Sequence, residues 1–508
     1  MCGICGFSSF DGRRSDRPDQ VVLKRMTETL VHRGPDASGY YLKDDVGFGF
    51  RRLSLIDLEG GDQPIYNEDR SLVLICNGEI FNYRDLRHEL TQKGHRFRTK
   101  TDVEVLLHLY EEHGAGLFAH LNGQFAFALY DEKQRQLLLA RDHFGINPVY
   151  YTFVDGTFIF ASEIKAILAH PLAPREVDLT GLDQIMTLPG LVSPRTMFKN
   201  IYSLPPGHFL IVKNGDVQVR EYWDLDYPKE GELSYDRSEK EYLEHLNELL
   251  ATSVKLRLHA DVPVGFYLSG GLDSSLIAGQ IHRLYPERRL NSFAIDFSDR
   301  SFSEAEYQRL MAHHATSVHH ETTFDWTQIE QRLPKAIYHC ECPLKETYNT
   351  ASLALSEAAK RAGISAILTG EGADELFGGY VGYRFDRHRQ ENQKEYNLET
   401  ILEDELRMKL WGDEQLFYEK DYNAYNEVKL SLYSAALGEL FPQFDLCNFG
   451  LVNKERVQGR HYLHQRSYLD FKLRMADHLL SDHGDKMALG NSVEARYPFL
   501  DIHFVEFV

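Results

Sequence analysis

The alternation of apolar and polar residues over the first 160 positions predicts short strands with a few helices between them. Apolar residues recur at helical spacing over residues 20–31, 83–92 and 102–112. Strand-like runs occupy residues 48–55, 72–76, 124–130, 136–141, 149–153 and 157–161. This density of short strands predicts antiparallel sheets faced by helices, and not a parallel α/β domain.

A hairpin and a polar stretch follow this region. Asn214-Gly215 comes directly after an apolar run, which is typical of a β-hairpin turn. The next residues, 224–239, are charged and only weakly apolar. We therefore expect two domains, 1–222 and 223–508, with the boundary at this stretch.

The second half alternates strands with longer helices. Helices are predicted over residues 241–256, 274–284, 304–314 and 349–362, and strands over 262–268, 291–297 and 366–368. This alternation predicts βαβ units and a parallel sheet covered on both faces. Residues 380–480 read as mainly helical. The fold class is thus α/β and α+β in two domains.

Composition narrows the function. The chain has 508 residues, 43% of them hydrophobic, and a formal charge of −20. The excess of acidic over basic residues argues against nucleic acid or an anionic membrane as the main partner. No apolar run approaches the ~18–20 residues that span a bilayer. Six cysteines in so long a chain are not a disulfide framework, and the first residues do not resemble a secretory signal, so a cytoplasmic location is expected.

Cys2 directly follows the initiator methionine. Removal of Met1 would leave Cys2 with a thiol nucleophile and a free α-amine of pKa ~8, which is the arrangement of N-terminal nucleophiles. A cysteine at this position also occurs by chance.

Residues that suit an amino-acid substrate occur farther along. Arg52 offers a cation, Asn77-Gly78 follows an apolar strand and offers oxyanion donors, and Asp102 offers an anion. Singly, Asp102 also fits a helix cap and Arg52 a surface charge. Together they describe a site with a cation for an α-carboxylate, an anion for an α-amine and a thiol for a side-chain carbonyl.

The motifs of this half resemble the class II glutamine amidotransferase domain. They are Met1-Cys2-Gly3-Ile4-Cys5-Gly6, His32-Arg33-Gly34-Pro35-Asp36, Arg52-Leu53-Ser54, Asn77-Gly78-Glu79 and the run at 141–148. The resemblance implies a four-layer α-β-β-α sandwich in which Cys2 attacks the glutamine carboxamide while Asn77 and Gly78 hold the oxyanion. It further implies a glutamine-binding set of Arg52, Leu53, Ser54, Leu55, Ile56, Asn77, Gly78, Glu79 and Asp102, with Arg52 on the carboxylate and Glu79 and Asp102 on the amine.

Two glycine-rich turns follow apolar strands in the second half. The first turn, at 269–275, combines Gly270 and Gly271 with three hydroxyls and opens a helix, so it suits phosphate oxygens. It lacks the lysine of a Walker A loop. Asp273 there fits Mg²⁺ beside a pyrophosphate, or a simple helix cap.

The second turn, at 369–375, carries Glu371 and Asp374, which could hold metal or act as a base; an exposed acidic loop is the alternative. Both turns end parallel strands, where open α/β sheets bind ligands. Near the chain end, Lys486 is a candidate to stabilise a leaving pyrophosphate, or a surface lysine. Cys340 and Cys342 are not expected to bind zinc without a second pair.

This half resembles the ATP-pyrophosphatase domain of the glutamine-hydrolysing asparagine synthetase family. The motifs are Ser269-Gly270-Gly271-Leu272-Asp273-Ser274-Ser275, the run at 371–380, and the run at 493–501. The resemblance implies that Leu268, Ile295, Thr369 and Gly370 line the adenosine of ATP, that Ser269, Gly270, Gly271, Asp273, Ser274 and Ser275 take the pyrophosphate, that Asp273 and Asp374 hold Mg²⁺, and that Glu371 and Lys486 are catalytic. Relatives commonly carry serine at the position of Thr369, and they continue past the last motif, so we expect this chain to lack the final C-terminal helices.

The leading hypothesis is therefore synthesis of asparagine from glutamine, aspartate and ATP. An amidotransferase for a different carboxylate is the first alternative, and a truncated, catalytically silent nucleotide-binding protein is the second. We also expect ammonia to pass through an enclosed path between the domains. Glu494 and Arg496 would form a paired polar section of its wall, or, as the alternative, a buried salt bridge that only orients the last helices. A homodimer is the assembly that acidic biosynthetic enzymes of this size often adopt.

Overall fold

The computed structural model describes residues 2–9, 19–232, 236–391 and 397–508. Its strands are β1 (Gly3–Ser9), β2 (Ala37–Lys43), β3 (Val46–Arg52), β4 (Ile65–Tyr66), β5 (Leu72–Ile80), β6 (Gly123–Asp131), β7 (Gln136–Arg141), β8 (Tyr150–Val154), β9 (Thr157–Ala161), β10 (Tyr202–Ser203), β11 (His208–Lys213), β12 (Asp216–Glu221), β13 (Val264–Tyr267), β14 (Asn291–Phe297), β15 (Val318–Phe324), β16 (Ala366–Leu368) and β17 (Glu494–Arg496).

The helices are α1 (Gln20–Glu28), α2 (Tyr83–Gln92), α3 (Val105–His113), α4 (Ile164–Leu168), α5 (Leu179–Thr187), α6 (Glu239–Arg257), α7 (Leu272–Leu284), α8 (Ala305–His314), α9 (Trp326–Cys340), α10 (Asn349–Arg361), α11 (Ala373–Phe377), α12 (Val381–Glu391), α13 (Leu398–Trp411), α14 (Tyr422–Leu432), α15 (Ala435–Phe444), α16 (Tyr462–Asp470), α17 (Lys486–Leu489) and α18 (Ile502–Phe507). Short 3₁₀ turns occur at Gly114–His120, Glu230–Glu232, Leu446–Asn448, Lys454–Arg456 and Pro498–Leu500. A helical segment with wider, π-type turns, Phe471–Asp485, joins α16 to α17.

The amino-terminal region is a sandwich of two antiparallel sheets. The strand orders are β10-β8-β9-β1-β3-β2 and β12-β11-β7-β6-β5-β4. Buried side chains from both sheets, including Phe48 and Phe160 from the first and Ile75 and Leu139 from the second, form the core between them. Helices α1 and α4 cover the first sheet and α2 and α3 cover the second. The four-layer sandwich is thereby confirmed.

The carboxyl-terminal region is built on a five-stranded parallel sheet. Its order is β15-β14-β13-β16-β17, and each neighbouring pair is parallel. Helices α6 and α7 pack Val254 and Ile277 on one face, and α10 packs Ala359 against Phe293 on the other. The predicted parallel sheet, covered on both faces, is confirmed.

The two regions share one apolar core. Trp411 and Tyr468 belong to helices that lie between β16 and β17 in the chain, and they pack in the same cluster as Phe144 and Ile146 of the sandwich region. A large apolar interface of this kind holds two regions in a fixed relation. No helix among the described residues has the length and apolar character needed to cross a bilayer.

Candidate active sites

Cys2 lies at the edge of the sandwich core with 8% of its surface exposed. Its backbone nitrogen donates to Oδ1 of Asn77 at 2.7 Å, and its Sγ lies 3.9 Å from the carbonyl oxygen of Leu53. Nε of Arg33 donates to the Cys2 carbonyl at 3.0 Å. Burial raises the pKa of the Cys2 thiol, so the thiol needs a base to ionise at neutral pH.

Asn77 presents a donor that suits an oxyanion. Its Oδ1 is committed to Cys2, while its Nδ2 is buried and has no hydrogen-bond partner among the described residues. Nδ2 of Asn147 donates to the Asn77 carbonyl at 2.7 Å and fixes the strand. A buried amide without a partner is costly unless a ligand uses it. At Gly78, a Cβ would lie 2.2 Å from the Gln124 carbonyl oxygen, so a side chain there would not fit.

A buried cluster of charged side chains surrounds Glu79, which lies on β5 with Asn77. The Glu79 carboxylate accepts from Nη2 of Arg496, and Nε of Arg496 donates to Glu494 at 2.7 Å. Burial raises the pKa of Glu79, and Arg496 opposes that shift. Asp102 is also buried, and it accepts from the Ile80 backbone nitrogen at 2.8 Å. Burial raises the pKa of Asp102 to about 6.

The interpretation of Asp102 as a helix cap is wrong. Helix α3 begins at Val105, and the Asp102 carboxylate contacts the end of β5 instead. A surface position for Arg52 is wrong as well, because its side chain is only 6% exposed. Nη1 of Arg52 pairs with Asp62 at 2.8 Å.

The segment that follows Arg52 meets the carboxyl-terminal region. Leu53 and Leu55 are buried against Leu489. The Leu55 carbonyl accepts from the Asp261 nitrogen at 2.9 Å. The backbone nitrogen of Ser54 donates to Asp36 at 2.8 Å, and the Ile56 carbonyl accepts from Arg52 at 3.5 Å. The structure therefore brings the predicted glutamine-binding residues to one corner, beside the second region.

A cavity of about 400 Å³ opens at the carboxyl ends of the parallel strands. Eight of the ten predicted ATP-binding residues line it: Leu268, Ser269, Gly271, Asp273, Ser274, Ile295, Thr369 and Gly370. Gly270 and Ser275 belong to the same loop without lining the cavity. The predicted location, at the ends of β13 and β16, agrees with this structure.

The first glycine-rich loop is held by its own hydroxyls. Oγ of Ser269 and Oγ of Ser274 lie 2.9 Å apart, and the Gly271 nitrogen donates to Ser269 at 3.2 Å. Gly270 has a φ of 84°, where a Cβ would lie 2.9 Å from Cβ of Tyr307. Glycine is therefore required at this turn. The loop leads into the amino terminus of α7, which suits phosphate.

Three carboxyl groups face this cavity. Burial and the nearby Asp374 raise the pKa of Asp273. Burial, Asp374 and Asp273 together raise the pKa of Glu371 to about 7. Glu371 lines the cavity with its side chain exposed to it, while the surrounding protein groups make the charged form less favourable. Carboxylates that raise one another's pKa are a donor set for a hard divalent cation.

Lys486 does not line this cavity, so its position disagrees with the predicted contact with pyrophosphate. Its Nζ donates to the Cys340 carbonyl at 2.9 Å and to Asp482 at 3.1 Å. Only 3% of the residue is exposed, which also excludes the surface interpretation. Its neighbours come from α9 and the wide-turn segment, so tertiary packing decides its environment.

Several residues that line the cavity are not in the predicted ATP-binding set. Tyr348 and His483 carry no signal in the linear sequence, whereas Ala495 and Tyr497 belong to the motif at 493–501. Ala495 belongs to β17, between the two residues of the Glu494–Arg496 pair. One three-residue strand thus borders both sites.

A buried cysteine beside an amide donor, and a cavity with a glycine-rich loop and acidic residues, are features that a glutamine-hydrolysing ligase requires. Residues 1–223 match the glutamine amidotransferase domain, and residues 245–508 match asparagine synthase. The chain belongs to the asparagine synthase family.

Curated relatives align along the whole chain. Asparagine synthetase [glutamine-hydrolyzing] 3 of Bacillus subtilis is 34% identical over 100% of this chain and 80% of its own length. Asparagine synthetase [glutamine-hydrolyzing] 1 of the same organism is 32% identical over 99% of this chain and 79% of its own. Amidase chyE of Penicillium rubens is 32% identical over 100% of this chain and 82% of its own.

Proposed function

We propose that this protein is a glutamine-dependent asparagine synthetase. It would hydrolyse glutamine in residues 1–222 and use ATP in residues 223–508 to amidate aspartate. The observation that carries the proposal is the sharing of β17: Arg496 contacts Glu79 in the cysteine site while Ala495 lines the nucleotide cavity. An enzyme that makes ammonia in one site and consumes it in another needs such adjacent sites.

In the first half-reaction, the Cys2 thiolate adds to the glutamine carboxamide carbon. The Cys2 α-amine, freed by loss of Met1, takes the thiol proton and later delivers it to the departing ammonia. Nδ2 of Asn77 and the Gly78 nitrogen donate to the oxyanion. Arg52 binds the substrate carboxylate, and Glu79 and Asp102 bind its ammonium. Water then hydrolyses the thioester to glutamate and restores the thiol.

In the second half-reaction, the aspartate β-carboxylate attacks the α-phosphorus of ATP and pyrophosphate leaves. Ammonia then attacks the acyl carbon, and AMP leaves. Glu371, with a pKa of about 7, is half ionised at neutral pH and can accept the proton that the attacking ammonia loses. Leu268, Ile295, Thr369 and Gly370 would hold the adenosine, and the loop at 269–275 would hold the pyrophosphate.

Asp273 and Asp374 fit a bound Mg²⁺. The fit rests on their donor chemistry and on the mutual rise in carboxyl pKa around the cavity. When bound, the ion would neutralise charge on the pyrophosphate oxygens.

A second candidate is amidation of a different carboxylic acid. The similarity to the relatives named amidase chyE and amidase chry2 favours it, since both align with the whole chain at 32% and 31% identity. The cysteine site would work as described, and only the acceptor would differ.

The deciding experiment measures pyrophosphate release by the full chain with ATP, Mg²⁺ and ammonium against a panel of carboxylic acids. Release that is fastest with aspartate and yields asparagine supports the first proposal. Release with another acid supports the second. A chain that only binds nucleotide would release none, and that outcome would overturn both.

A further inference from the structure

Two histidines and two glutamates converge in the helical layer over the second sheet of the sandwich. This group, named here the His/Glu cluster, consists of Glu68, His95, His108 and Glu111. Glu68 follows β4, His95 follows α2, and the other two residues lie on one face of α3, three positions apart. One ligand atom from each side chain lies within 4.8 Å of the other three. None of the four lines the nucleotide cavity or belongs to the predicted glutamine-binding set.

The distances within the His/Glu cluster suit a small divalent cation. Nδ1 of His95 lies 3.5 Å from Oε2 of Glu111 and 3.8 Å from Oε1 of Glu68. Nδ1 of His108 lies 2.9 Å from Oε2 of Glu111 and 3.7 Å from Oε2 of Glu68. Neighbouring ligand atoms in a tetrahedral Zn²⁺ site are about 3.4 Å apart, because each bond to a nitrogen or oxygen is about 2.0–2.1 Å long.

Both carboxylates are oriented by donors outside the cluster. Oε1 of Glu111 accepts from Nδ2 of Asn67 at 2.8 Å, and Oε2 of Glu111 is the oxygen that faces the histidines. Oε1 of Glu68 accepts from the Arg96 backbone nitrogen at 2.9 Å. Among the described residues, no lysine or arginine forms an ion pair with either carboxylate. Their negative charges are therefore shared only with the two imidazoles.

The far nitrogen of each histidine faces a further carboxylate. Nε2 of His95 lies 3.1 Å from Oε1 of Glu112, and Nε2 of His108 lies 4.0 Å from Oε1 of Glu104. A metal-bound imidazole usually carries its proton on the nitrogen away from the metal and presents that proton to a carboxylate or carbonyl. The cluster has this arrangement at both histidines.

His108 has a buried nitrogen that its neighbours do not satisfy. Its side chain is 1% exposed, and its Nε2 has no hydrogen-bond partner among the described residues. If neutral His108 kept its proton on Nδ1 for Glu111, the lone pair of Nε2 would point toward the Glu104 carboxylate. A metal ion on Nδ1 would place the proton on Nε2, where Glu104 can accept it. A doubly protonated His108 in a network of ion pairs is the arrangement that competes with the metal.

We propose that the His/Glu cluster is a structural Zn²⁺ site. Two imidazole nitrogens favour Zn²⁺ over Mg²⁺, which prefers oxygen ligands, and the two carboxylates balance the charge of the ion. Four protein ligands complete a tetrahedron, as in structural zinc sites. The ion would join the turn after β4 and the turn after α2 to helix α3. The site is separate from the proposed function, which places Mg²⁺ in the nucleotide cavity.

The first test measures Zn²⁺ binding by calorimetry to the full chain after treatment with a chelator. Excess Mg²⁺ is present, so that it occupies the carboxylates of the nucleotide cavity. We expect one tight Zn²⁺ site per chain, and a thermal midpoint that rises with Zn²⁺ concentration because the ion binds the folded chain. Absence of tight Zn²⁺ binding would overturn the proposal and leave His108 in an ion-pair network.

Co²⁺ reports which side chains bind the metal. A tetrahedral site of nitrogen and oxygen ligands should give visible d–d bands without the near-ultraviolet charge-transfer band of a thiolate. This distinction matters because the chain has free cysteines, among them Cys340 and Cys342. A thiolate band from the single bound Co²⁺ would assign the metal to cysteines and overturn the proposal.

The second test uses His95→Gln and Glu68→Gln, whose side chains are 14% and 35% exposed in the wild type. Each should lower the Zn²⁺ affinity at least about ten-fold, since even an outer partner of a ligand is typically worth about 10–100-fold. His88→Gln is the matched control, because His88 is exposed on α2 and contacts Gln92 outside the cluster. Zn²⁺ should raise the thermal midpoint of His88→Gln as it does for the wild type, and not the midpoints of the two ligand variants.

The effect of Zn²⁺ within each variant separates a lost ligand from a loss of folding. Midpoints measured in chelator report the stability of each variant without metal. Glu112→Gln leaves all four ligands in place and should lower the Zn²⁺ affinity about ten-fold, because His95 loses its outer carboxylate. A Zn²⁺ affinity that is unchanged in both ligand variants would overturn the His/Glu cluster as the metal site, whatever activity the enzyme shows.

Discussion

Arg496 of the parallel sheet forms a buried ion pair with Glu79 of the antiparallel sandwich. Neither side chain is more than 5% exposed. Nη1 of Arg496 also donates to the carbonyl oxygens of Arg257 and His259, at 2.6 Å and 2.8 Å. A guanidinium anchored in the second region therefore positions a carboxylate that we assign to glutamine binding. The proposed glutamine site therefore shares this contact with the packing of the second region.

We expect Arg496→Met to destabilise the protein by about 3–5 kcal/mol, because it leaves Glu79 buried without its cation. Arg309→Gln is the control, since Arg309 pairs with Glu321 at the surface, where the loss of an ion pair has little effect on stability. Thermal denaturation of the two variants beside the wild type measures the difference. Equal midpoints for both variants would show that the Glu79 pair contributes no more than a surface contact.

Cys2→Ala should abolish glutamine hydrolysis and leave synthesis from added ammonium intact, because the chemistry proposed for the nucleotide cavity does not use the thiol. Cys5→Ala is the control. Cys5 lies on β1, which begins directly after Cys2, but its Sγ is 3.4 Å from Oγ1 of Thr27. A Cys2→Ala protein that still hydrolyses glutamine would refute the nucleophile. Intact-mass spectrometry should also find Met1 removed.

Glutamine binding should weaken in acid as Asp102 takes up a proton. The folded-state pKa of Asp102 is raised to about 6, so the carboxylate is ionised above that pH and neutral below it. We expect the dissociation constant for glutamine to rise about ten-fold between pH 7 and pH 5. Calorimetry with the Cys2→Ala protein measures binding without turnover. In Asp102→Asn, binding should be weak throughout and lose this pH dependence; an unchanged profile would exclude Asp102 as the titrating group.

Elements whose apolar period extends over several residues could be predicted from the sequence. The helix over 83–92 and the strands over 136–141 and 291–297 agree with α2, β7 and β14 to the residue. Strand β17 could not be predicted, because three residues carry no period. It becomes a strand through its parallel pairing with β16, in which Ala495 lies beside Ile367.

The residues of the candidate sites also fall into two groups, those within a local sequence motif and those that only the fold brings to the site. Residues within a local motif, such as Ser269 and Asp273, line the cavity as predicted. Lys486 does not, because its Nζ donates to the Cys340 carbonyl of α9, which is 146 residues earlier, and no local pattern reports that contact. Tyr348 was not identifiable either, since only the fold brings α10 toward the strand ends.

Asp273→Asn should lower ammonium-dependent pyrophosphate release at least about 100-fold, the equivalent of several kcal/mol of transition-state stabilisation, because a Mg²⁺ ligand is lost. Glutaminase activity should persist. Asp299→Asn is the control, since the Asp299 carboxylate is exposed and accepts from Ser301, far from the glycine-rich turns in the chain. Full pyrophosphate release by Asp273→Asn would exclude Asp273 from the metal site, and loss of both activities with a folded protein would argue against two separate sites.

Ammonia should travel from Cys2 to the nucleotide cavity without entering solvent. At neutral pH free ammonia is mostly ammonium, which is not a nucleophile. Ammonia that left the protein would therefore be protonated and diffuse away before it could react in the nucleotide cavity. The Ala495 carbonyl accepts from Nε2 of Gln124 in the sandwich at 3.1 Å, and Ala495 also lines the cavity, so the two regions are in direct contact beside the cavity. With ¹⁵N-amide glutamine and excess unlabelled ammonium at a pH where ammonia is scarce, we expect the amide product to carry mostly ¹⁵N. Product that follows the label of the bulk ammonium would refute an enclosed path, because ammonia released into solvent would mix with that pool before it reacts.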